Sequence, residues 1–410
     1  MKQAFFILTI LALAAGCLSE NGAKPGNSST WIRYFSGGYD DQAVTVEQAD
    51  DGGFIILANS KIQASEAEAP LYRIKLIRTD AFGNTLWQSV LNQDTISHRS
   101  AGLGFIPGGG YVIAGSDIQR KDTTSKVLIM KVDTDGKLIK KASIPQPGIK
   151  SIDGRAVTVD AQGRFIVLCT SGNADMHLME IDPDALVAKS FTSYAAGKTT
   201  LANRIYGDVD GKSYLWSGTV TKTDATNVSN VTGVRVVKSS PDAINAYFDL
   251  TLINPGFSET ASDFCRYGFG YAVIGSTNQK KSGPGDYDIM YKLLGSGGTV
   301  LIKGSFPMGD NDNNNDSGNS ISSTQDGGLI LLGTVNSASI NGRGDDDYML
   351  IKLDPFGNEV WRQHFGSRYK DAGVSVRQAA DGGFVVLGTT TQGQLDIVML
   401  AKTDKDGKIE

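Results

Sequence analysis

Short apolar runs, each entered through a glycine-rich turn, recur along almost the whole chain. Seven of them share one pattern, a few apolar residues that follow a turn and end at a small residue. They begin at Phe54, Tyr111, Phe165, Tyr214, Tyr271, Leu329 and Phe384. Asp and Gly in the preceding turns, as in Asp51-Gly52-Gly53, supply the positive φ angles that tight hairpins need. The pattern predicts seven β-hairpins, spaced about 55 residues apart.

A second strand pair follows each hairpin. The clearest case is the apolar run Leu350–Leu353, the turn Asp354–Asn358 and the short strand Glu359–Trp361. Counterparts lie at 76–87, 129–140 and 399–409. Each copy therefore reads as four antiparallel strands, named A to D, and no segment has a sustained helical period. We predict an all-β chain.

Seven four-stranded units of this length are typical of a seven-bladed β-propeller. The seventh copy stops at 407–410, where its strand D should begin, while the chain starts with an unassigned strand at 30–37. Trp31 and Phe35 in that strand match Trp361 and Phe365 in strand D of copy six. We therefore predict that the N-terminal strand completes the last blade and closes the ring, which protects both exposed edges. Residues 30–410 form one propeller domain in this interpretation.

The first residues are expected to be a targeting sequence rather than part of the folded domain. Residues 1–16 have one lysine, an apolar run of about a dozen residues and then small residues, which predicts a secretory signal peptide. Cys17 follows Leu13-Ala14-Ala15-Gly16, which resembles the lipobox of bacterial lipoproteins, although Ala14 stands where leucine is usual. The resemblance implies that Cys17 is lipidated. The alternative is ordinary cleavage after Gly16, which would leave Cys17 as a stray thiol.

The polar residues 17–29 then form a flexible tether, rich in Gly, Ser and Asn. No later stretch is apolar enough to span a bilayer, so the lipid anchor is the only membrane attachment that we expect.

The composition argues against several kinds of partner and site. The net charge of −5 argues against nucleic acid as a partner. Three cysteines and three histidines leave little for a disulfide framework or a zinc cluster. We expect Cys169 and Cys265 to be buried free thiols. His98, His177 and His364 are expected on a loop, a strand C and a strand D, with no ligand spacing among them.

The common repeat pattern comprises, in order, a DGG turn, an apolar run, a small residue, a Lys-x-Asp strand and a strand with Trp. This repeat resembles the propeller repeats of exported, lipid-anchored proteins of Bacteroidota-like bacteria. The resemblance covers essentially all of 30–410. It implies the fold and leaves the activity open, because such propellers serve many roles. The Trp-Asp, kelch and integrin-type signatures are absent from the sequence.

Two features that recur in several copies are interpreted as structural. Trp31, Trp87 and Trp361 occupy one repeat position and are predicted to pack between blades. Lys-x-Asp pairs such as Lys352 and Asp354 are predicted to form inter-strand salt bridges or turn caps.

The B–C loops and the D–A loops vary in length and content, while the A–B and C–D turns are short and uniform. Binding residues on rigid scaffolds usually lie on variable loops, so we expect function on the B–C and D–A face.

One acidic sector of that face is a candidate calcium site. Its oxygen-bearing side chains alternate along the chain as the first ligands of an EF-hand do: Asp310, Asp312, Asn314 and Asp316. The loop lacks the Gly and Glu of an EF-hand, since Asn315 and Ile321 stand there. A solvated Asx-rich turn and the docking of a basic partner are the alternatives. No cofactor other than this possible Ca²⁺ is required.

Further acids are expected near this loop and are candidate partner-binding residues: Asp286, Asp288, Asp345, Asp346 and Asp347. Thr95 and Thr123 follow aspartates in the short pattern that Bacteroidota-like bacteria use for O-glycosylation.

These features favour a non-enzymatic, lipid-anchored propeller that acts as a protein-binding scaffold subunit of an envelope complex in the bacterial outer membrane. The cell surface is favoured over the periplasmic side, although Ser19-Glu20 is only a fragment of an export signal. The alternatives are a surface glycan-binding lipoprotein, or a glycoside hydrolase or lyase. Acids such as Glu47 and Asp160 show no facing catalytic pair, and exposed loop aromatics are few: Tyr39, Tyr287 and Tyr348.

Overall fold

The computed structural model is an all-β ring of seven four-stranded antiparallel sheets. It describes residues 30–62, 70–91, 95–119, 121–122, 124–172, 175–194, 200–208, 213–223, 230–240, 248–254, 256–279, 287–306, 315–336 and 346–409. The predicted seven-bladed β-propeller is confirmed. The described residues contain no helix, and hence none that could cross a membrane.

The strands of each blade follow one another in the chain, from the innermost strand A outward to strand D. Blade 1 is β2 (Asp40–Gln48), β3 (Phe54–Ile62), β4 (Leu71–Thr79) and β5 (Thr85–Val90). Blade 2 is β6 (Ser97–Phe105), β7 (Tyr111–Ile118), β8 (Ser125–Val132) and β9 (Leu138–Ile144). Blade 3 is β10 (Ile152–Val159), β11 (Phe165–Ser171), β12 (Met176–Ile181) and β13 (Ala188–Tyr194). Blade 4 is β14 (Thr200–Gly207), β15 (Tyr214–Thr223), β16 (Asn230–Ser239) and β17 (Phe248–Leu252).

The remaining blades repeat this order. Blade 5 is β18 (Glu259–Tyr267), β19 (Gly270–Thr277), β20 (Asp288–Leu294) and β21 (Val300–Phe306). Blade 6 is β22 (Ser317–Ser323), β23 (Leu329–Asn336), β24 (Asp346–Leu353) and β25 (Glu359–Phe365). Blade 7 is β26 (Asp371–Gln378), β27 (Phe384–Gln392) and β28 (Leu395–Lys402), completed by β1 (Trp31–Phe35).

The ring closes as predicted. β1 pairs antiparallel with β28, from Trp31 opposite Lys402 to Phe35 opposite Val398. One sheet therefore contains both the beginning and the end of the described chain, and β28 has a partner strand on each side.

The apolar core lies between blades. The described residues form seven apolar clusters, and each joins one blade to its neighbour. Strands B and C are thus covered on both faces, which explains why they read as continuous apolar runs such as Phe54–Ala58 rather than as alternating patterns.

The ring has two faces, and the rest of the description uses them. The turn face carries the A–B and C–D turns, for example 49–53 and 80–84 in blade 1. The loop face carries the D–A and B–C connections, for example 36–39. Each strand A runs from the loop face to the turn face.

Candidate functional site

Every strand A carries a β-bulge at the same place. The register of strand A against strand B shifts by one residue directly after Ala43, Ser100, Gly154, Ala202, Ala261, Gly318 and Gly373. A bulge bends and twists its strand and re-aims the side chains beyond it. In this ring, the residues beyond the bulge meet across the central channel.

A carboxylate and two arginines from three blades join there. Arg377 Nη2 of blade 7 donates to Glu47 Oε1 of blade 1 at 2.8 Å. Arg204 Nη2 of blade 4 donates to the same oxygen at 3.4 Å. Because blades 1 and 4 are not neighbours, the second bond spans the channel. We call Glu47, Arg204 and Arg377 the channel bridge.

Further bonds carry this network through blades 5 and 6. Arg204 Nε lies 3.6 Å from Asp263 Oδ1 and donates to the Tyr206 hydroxyl at 3.1 Å. Asp263 Oδ2 accepts a hydrogen bond from Ser320 Oγ at 2.8 Å. Ser320 Oγ in turn accepts from the backbone N–H of Val376 in blade 7, at 3.3 Å. The network therefore links blades 1, 7, 6, 5 and 4 in a closed circuit.

The network keeps its charges ionised. Burial disfavours the charged form of Glu47, but Arg377 and Arg204 outweigh it and hold the pKa of Glu47 below its ordinary value. Burial raises the pKa of Tyr206 to about 12, so its hydroxyl stays protonated.

Blades 2 and 3 contribute small residues to the channel wall instead of charged ones. Gly102 and Ala156 occupy the position that Arg204 holds in blade 4, and a Cβ on Gly102 would lie 2.8 Å from Val157 N. The space left between this wall and the channel bridge is a cavity of about 310 Å³, here called the floor cavity, lined also by Glu47.

A second cavity lies nearer the loop face in the same sector. It has a volume of about 380 Å³ and is called here the mouth cavity. It is lined by Gln42, Ala43, Val44, Asn59, Arg99, Ser100, Ala101, Ser116, Ile118, Asp153, Gly154 and Arg155. Ala101 lines both cavities, so the mouth cavity lies above the floor cavity beside blades 1 to 3.

Two arginines supply the charge of the mouth cavity. Arg99 is exposed, and its guanidinium lies 5.4 Å from the centre of the Tyr72 ring. Arg155 Nη2 lies 3.6 Å from Asp153 Oδ2, with the two side chains 36% and 35% exposed. Asn59 has a structural role, because its side-chain amide donates a hydrogen bond to Ser100 O at 2.9 Å and accepts one from Ser100 N at 2.8 Å.

Buried acids at the loop-face end of strand A are matched differently from blade to blade. Asp41 pairs with Lys75 at 3.0 Å inside blade 1. Asp371 stands at the same position in blade 7, where Met399 replaces the lysine. Burial raises the pKa of Asp371, and the Asp347 carboxylate of blade 6 adds to the rise.

The proposed calcium ligands are only partly described. Asp310, Asp312 and Asn314 lie outside the described residues. Asp316 is buried, and its Oδ1 accepts a hydrogen bond from Asn336 N at 3.2 Å. Within the described ranges, no three His, Cys, Asp or Glu side chains come together as a metal site would require. The Ca²⁺ hypothesis stays a prediction.

The partner-binding acids are placed as follows. Asp288 and Asp347 are 1% and 3% exposed, so their carboxylates lie beneath the surface. Asp346 is half-buried, with its Oδ2 3.6 Å from Lys370 Nζ. Asp286 and Asp345 lie outside the described residues. Docking at this sector stays a prediction.

The modification sites are likewise untested. Cys17 and Thr123 lie outside the described residues, and Thr95 is exposed in the segment before β6. Cys169 and Cys265 are free and buried, as predicted.

Two placements predicted from sequence were wrong. His98 lies inside β6 and is buried, because β6 begins earlier than the apolar pattern indicated. Tyr348 is buried rather than exposed, and its hydroxyl donates to Thr389 O across the interface between blades 6 and 7.

Sequence reasoning missed the channel bridge and the mouth arginines. Both come from strand A positions whose residue types differ between copies, so comparing the copies position by position was the signal that could have found them. It also missed exposed phenylalanines on the turn face: Phe82, Phe105, Phe269 and Phe356.

Comparison with known proteins supports the fold alone. No family model matches the chain, and no curated protein matches it. A chain of the Kuenenia stuttgartiensis hydrazine synthase is similar at a TM-score of 0.56 and 10% identity, over 88% of this chain and 98% of that one. The periplasmic gluconolactonase of Pseudomonas aeruginosa has a TM-score of 0.52 and 13% identity, over 78% and 85%. The polysaccharide lyase Uly1 has a TM-score of 0.51 and 12% identity, over 89% and 90%. The chain is a seven-bladed β-propeller, similar in fold to these enzymes.

Proposed function

We propose that the protein is a binding scaffold: a lipid-anchored β-propeller that docks a protein partner of the bacterial envelope on its loop face. The observation that carries the proposal is the mouth cavity, which opens toward that face with two arginines from neighbouring blades. The channel bridge lies below it. An occupant is therefore held at the mouth, against a rigid framework of paired strands.

The entry of the chain supports the choice of face. β1 begins at the turn face, because Trp31 lies opposite Lys402 next to the last C–D turn. A lipidated Cys17 would thus be joined to the propeller at the turn face, and we propose that the opposite, loop face is the one that meets the partner.

The state of Glu47 argues against a role for this residue as the general acid of a glycoside hydrolase. A general acid for that reaction needs a raised pKa, so that it carries a proton at working pH. Glu47 has the opposite property, because Arg377 and Arg204 lower its pKa. The acid of the floor cavity is thus suited to holding blades together.

The proposal is tested by crosslinking from the two faces. A photoreactive p-benzoylphenylalanine replaces Tyr39 on the loop face or Phe356 on the turn face; these side chains are 44% and 75% exposed. The full-length protein is irradiated in native membranes. We expect a discrete protein adduct from position 39 and none from position 356. An adduct only from position 356, or none from position 39, would contradict the proposal.

The outer-membrane location, with the cell surface favoured, rests on the sequence. Protease treatment of intact cells checks it: degradation of the propeller indicates the surface, and protection indicates the periplasmic side.

A further inference from the structure

The mouth cavity contains positive charge that this acidic chain leaves largely uncompensated. Among the residues described, no carboxylate lies within 4.0 Å of Arg99. Arg155 has a single carboxylate neighbour, Asp153, at 3.6 Å, and both side chains are about one-third exposed. An ion pair that long and that open to solvent contributes little. Arg155 Nε is buried and has no hydrogen-bond partner in the described part of the chain.

The channel bridge shows the contrast within one molecule. Arg377 and Arg204 converge on one internal carboxylate, Glu47, at 2.8 and 3.4 Å. The acid of the mouth cavity, Asp153, lies 3.6 Å from Arg155 and forms no ion pair with Arg99 among the described residues, so the mouth pair, Arg99 and Arg155, shares no carboxylate as the channel bridge does. A planar guanidinium presents a fork of N–H donors that matches a carboxylate, so the natural complement of the mouth pair is a carboxylate from outside.

The lining favours an acidic peptide over a sugar. Carbohydrate sites commonly use an open aromatic ring as a stacking surface, and none of the twelve residues that line the mouth cavity is aromatic. The Tyr72 ring is covered by the guanidinium of Arg99, which does line the cavity. The volume, about 380 Å³, is at the small end of the range of about 300–1,000 Å³ for ligand pockets, so a short segment fits rather than a folded surface.

We propose that the mouth cavity receives an acidic segment of the partner protein, with Asp or Glu carboxylates bound by Arg99 and Arg155. The inference rests on the proposed docking function and specifies its chemistry. Gln42, at the rim of blade 1, supplies an amide donor to the same segment.

A labelled tetraglutamate peptide tests the inference by fluorescence anisotropy at low salt, with a tetraglutamine peptide as the uncharged probe. We expect tetraglutamate to bind and tetraglutamine not to bind. The double variant Arg99→Gln/Arg155→Gln is expected to weaken tetraglutamate binding by about tenfold or more, because it removes both guanidinium groups that bind the carboxylates.

Arg368→Gln is the matched control, because Arg368 lies on the same face and stacks on Tyr369 at 4.9 Å, much as Arg99 stacks on Tyr72. Unchanged binding by the Arg368 variant supports the proposal. Equal losses of binding free energy per charge removed, in the double variant and in the control, would show diffuse attraction and overturn it, as would undiminished binding by the double variant. Stronger, arginine-dependent binding of a glucuronate oligosaccharide would overturn the choice of a peptide.

Crosslinking from position 39 separates this inference from the docking function. Loss of the adduct in the Arg99→Gln/Arg155→Gln background supports both. An unchanged adduct in that background overturns the acidic segment and leaves loop-face docking intact. If the parent protein yields no adduct, docking fails, and the tetraglutamate measurement alone decides the chemistry of the cavity.

Discussion

Tryptophans on strand D lie over glycines in the next blade. Trp31 of blade 7 covers Gly83 in the C–D turn of blade 1, and a Cβ on Gly83 would come within 2.5 Å of the ring. The same arrangement joins Trp87 to Gly136 and Trp361 to Gly407. Each of these glycines also has a positive φ, which L side chains adopt at a cost. The repeated Trp and Gly therefore form one inter-blade contact.

Replacing Gly83 with alanine tests this contact, with Gly382→Ala as the control. Both positions have positive φ, +76° and +86°, but nothing lies within 4 Å of a Cβ on Gly382. We expect the control to cost about 1 kcal/mol from backbone strain and Gly83→Ala to cost about 1–3 kcal/mol more from overpacking against Trp31. Urea unfolding measures both. Equal losses in the two variants would mean that the Trp31 indole moves aside at no cost in stability.

The sequence identified one half of this contact. Trp31, Trp87 and Trp361 were predicted to be packing residues because they share one repeat position, and each is seen packed between blades. Their glycine partners could not be assigned, because turn glycines are explained equally well by the hairpin alone. Only the positions of neighbouring blades in space reveal that Gly83 has a second requirement.

At the scale of the elements, ion pairs join the A–B turn to strand C. In blades 6 and 7 the turn aspartates, Asp326 and Asp381, pair with Lys352 and Lys402 of strand C at 2.9 Å. The second turn glycine leaves room for that lysine, since a Cβ on Gly328 would collide with Lys352 Nζ. The lysine of the Lys-x-Asp pair thus forms its salt bridge with the A–B turn and not with a neighbouring strand. Asp354 is a turn cap, as the alternative predicted, because its Oδ1 accepts hydrogen bonds from Phe356 N and Asn358 N at 2.8 Å.

Blade 3 reverses this arrangement. Arg164 stands at the position of the second glycine, and Glu180 replaces the strand C lysine. Arg164 Nη1 lies 3.2 Å from Glu180 Oε2, and Arg164 Nε lies 2.7 Å from Asp160 Oδ2. The basic group thus comes from the turn, and the acid comes from the strand.

Restoring the common pattern in blade 3 is a test at this scale. Glu180→Lys alone places a lysine against Arg164, and we expect a loss of about 3 kcal/mol because a buried partner is removed and a like charge added. Asp160→Thr, Gln162→Asp and Arg164→Gly, added to that change, recreate the turn of blade 6, where Thr324 stands at the position of Asp160. We expect the quadruple variant to recover most of the stability in urea unfolding. If it is no more stable than Glu180→Lys, the turn and the strand are not coupled.

Blade order and ring closure could be predicted because each repeat carries its own turn and strand pattern. The candidate site could not be predicted in the same way. Glu47, Arg204 and Arg377 lie in different copies, and only the closed ring brings them within bonding distance. Periodicity identifies what the copies share, whereas a channel site depends on where they differ.

For the whole molecule, the channel bridge acts beyond contacts between neighbouring blades. The seven apolar clusters join each blade only to the next one. The bond from Arg204 to Glu47 joins blades 4 and 1 directly. The ring is therefore stabilised across its diameter as well as around its circumference.

Glu47→Gln is expected to destabilise the ring by about 1–3 kcal/mol near pH 6, because Arg377 and Arg204 lose their shared carboxylate in a partly hydrated channel. The folded-state pKa of Glu47 is lowered, so its contribution is full above the ordinary value of 4.5 and is lost as the pH falls through the folded value. The stability gap between parent and variant should therefore narrow from about pH 6 to about pH 3.

Urea unfolding at the two pH values measures that gap. The other acids are the same in both proteins, so their pH-dependent contributions cancel when the free energies of unfolding are subtracted. A gap of the same size at both values would contradict an ionised Glu47 as its cause.

The closing strand also determines how the ring bears tension. β1 runs from the turn face at Trp31 to the loop face at Phe35, antiparallel to β28. With the proposed anchor at its first end and the proposed partner on the opposite face, a pull between them is directed along the strand. All five residue pairs of β1 and β28 then resist in shear together, whereas a sideways pull would unzip them one at a time. Under such a pull, the seam of the ring would be loaded in shear.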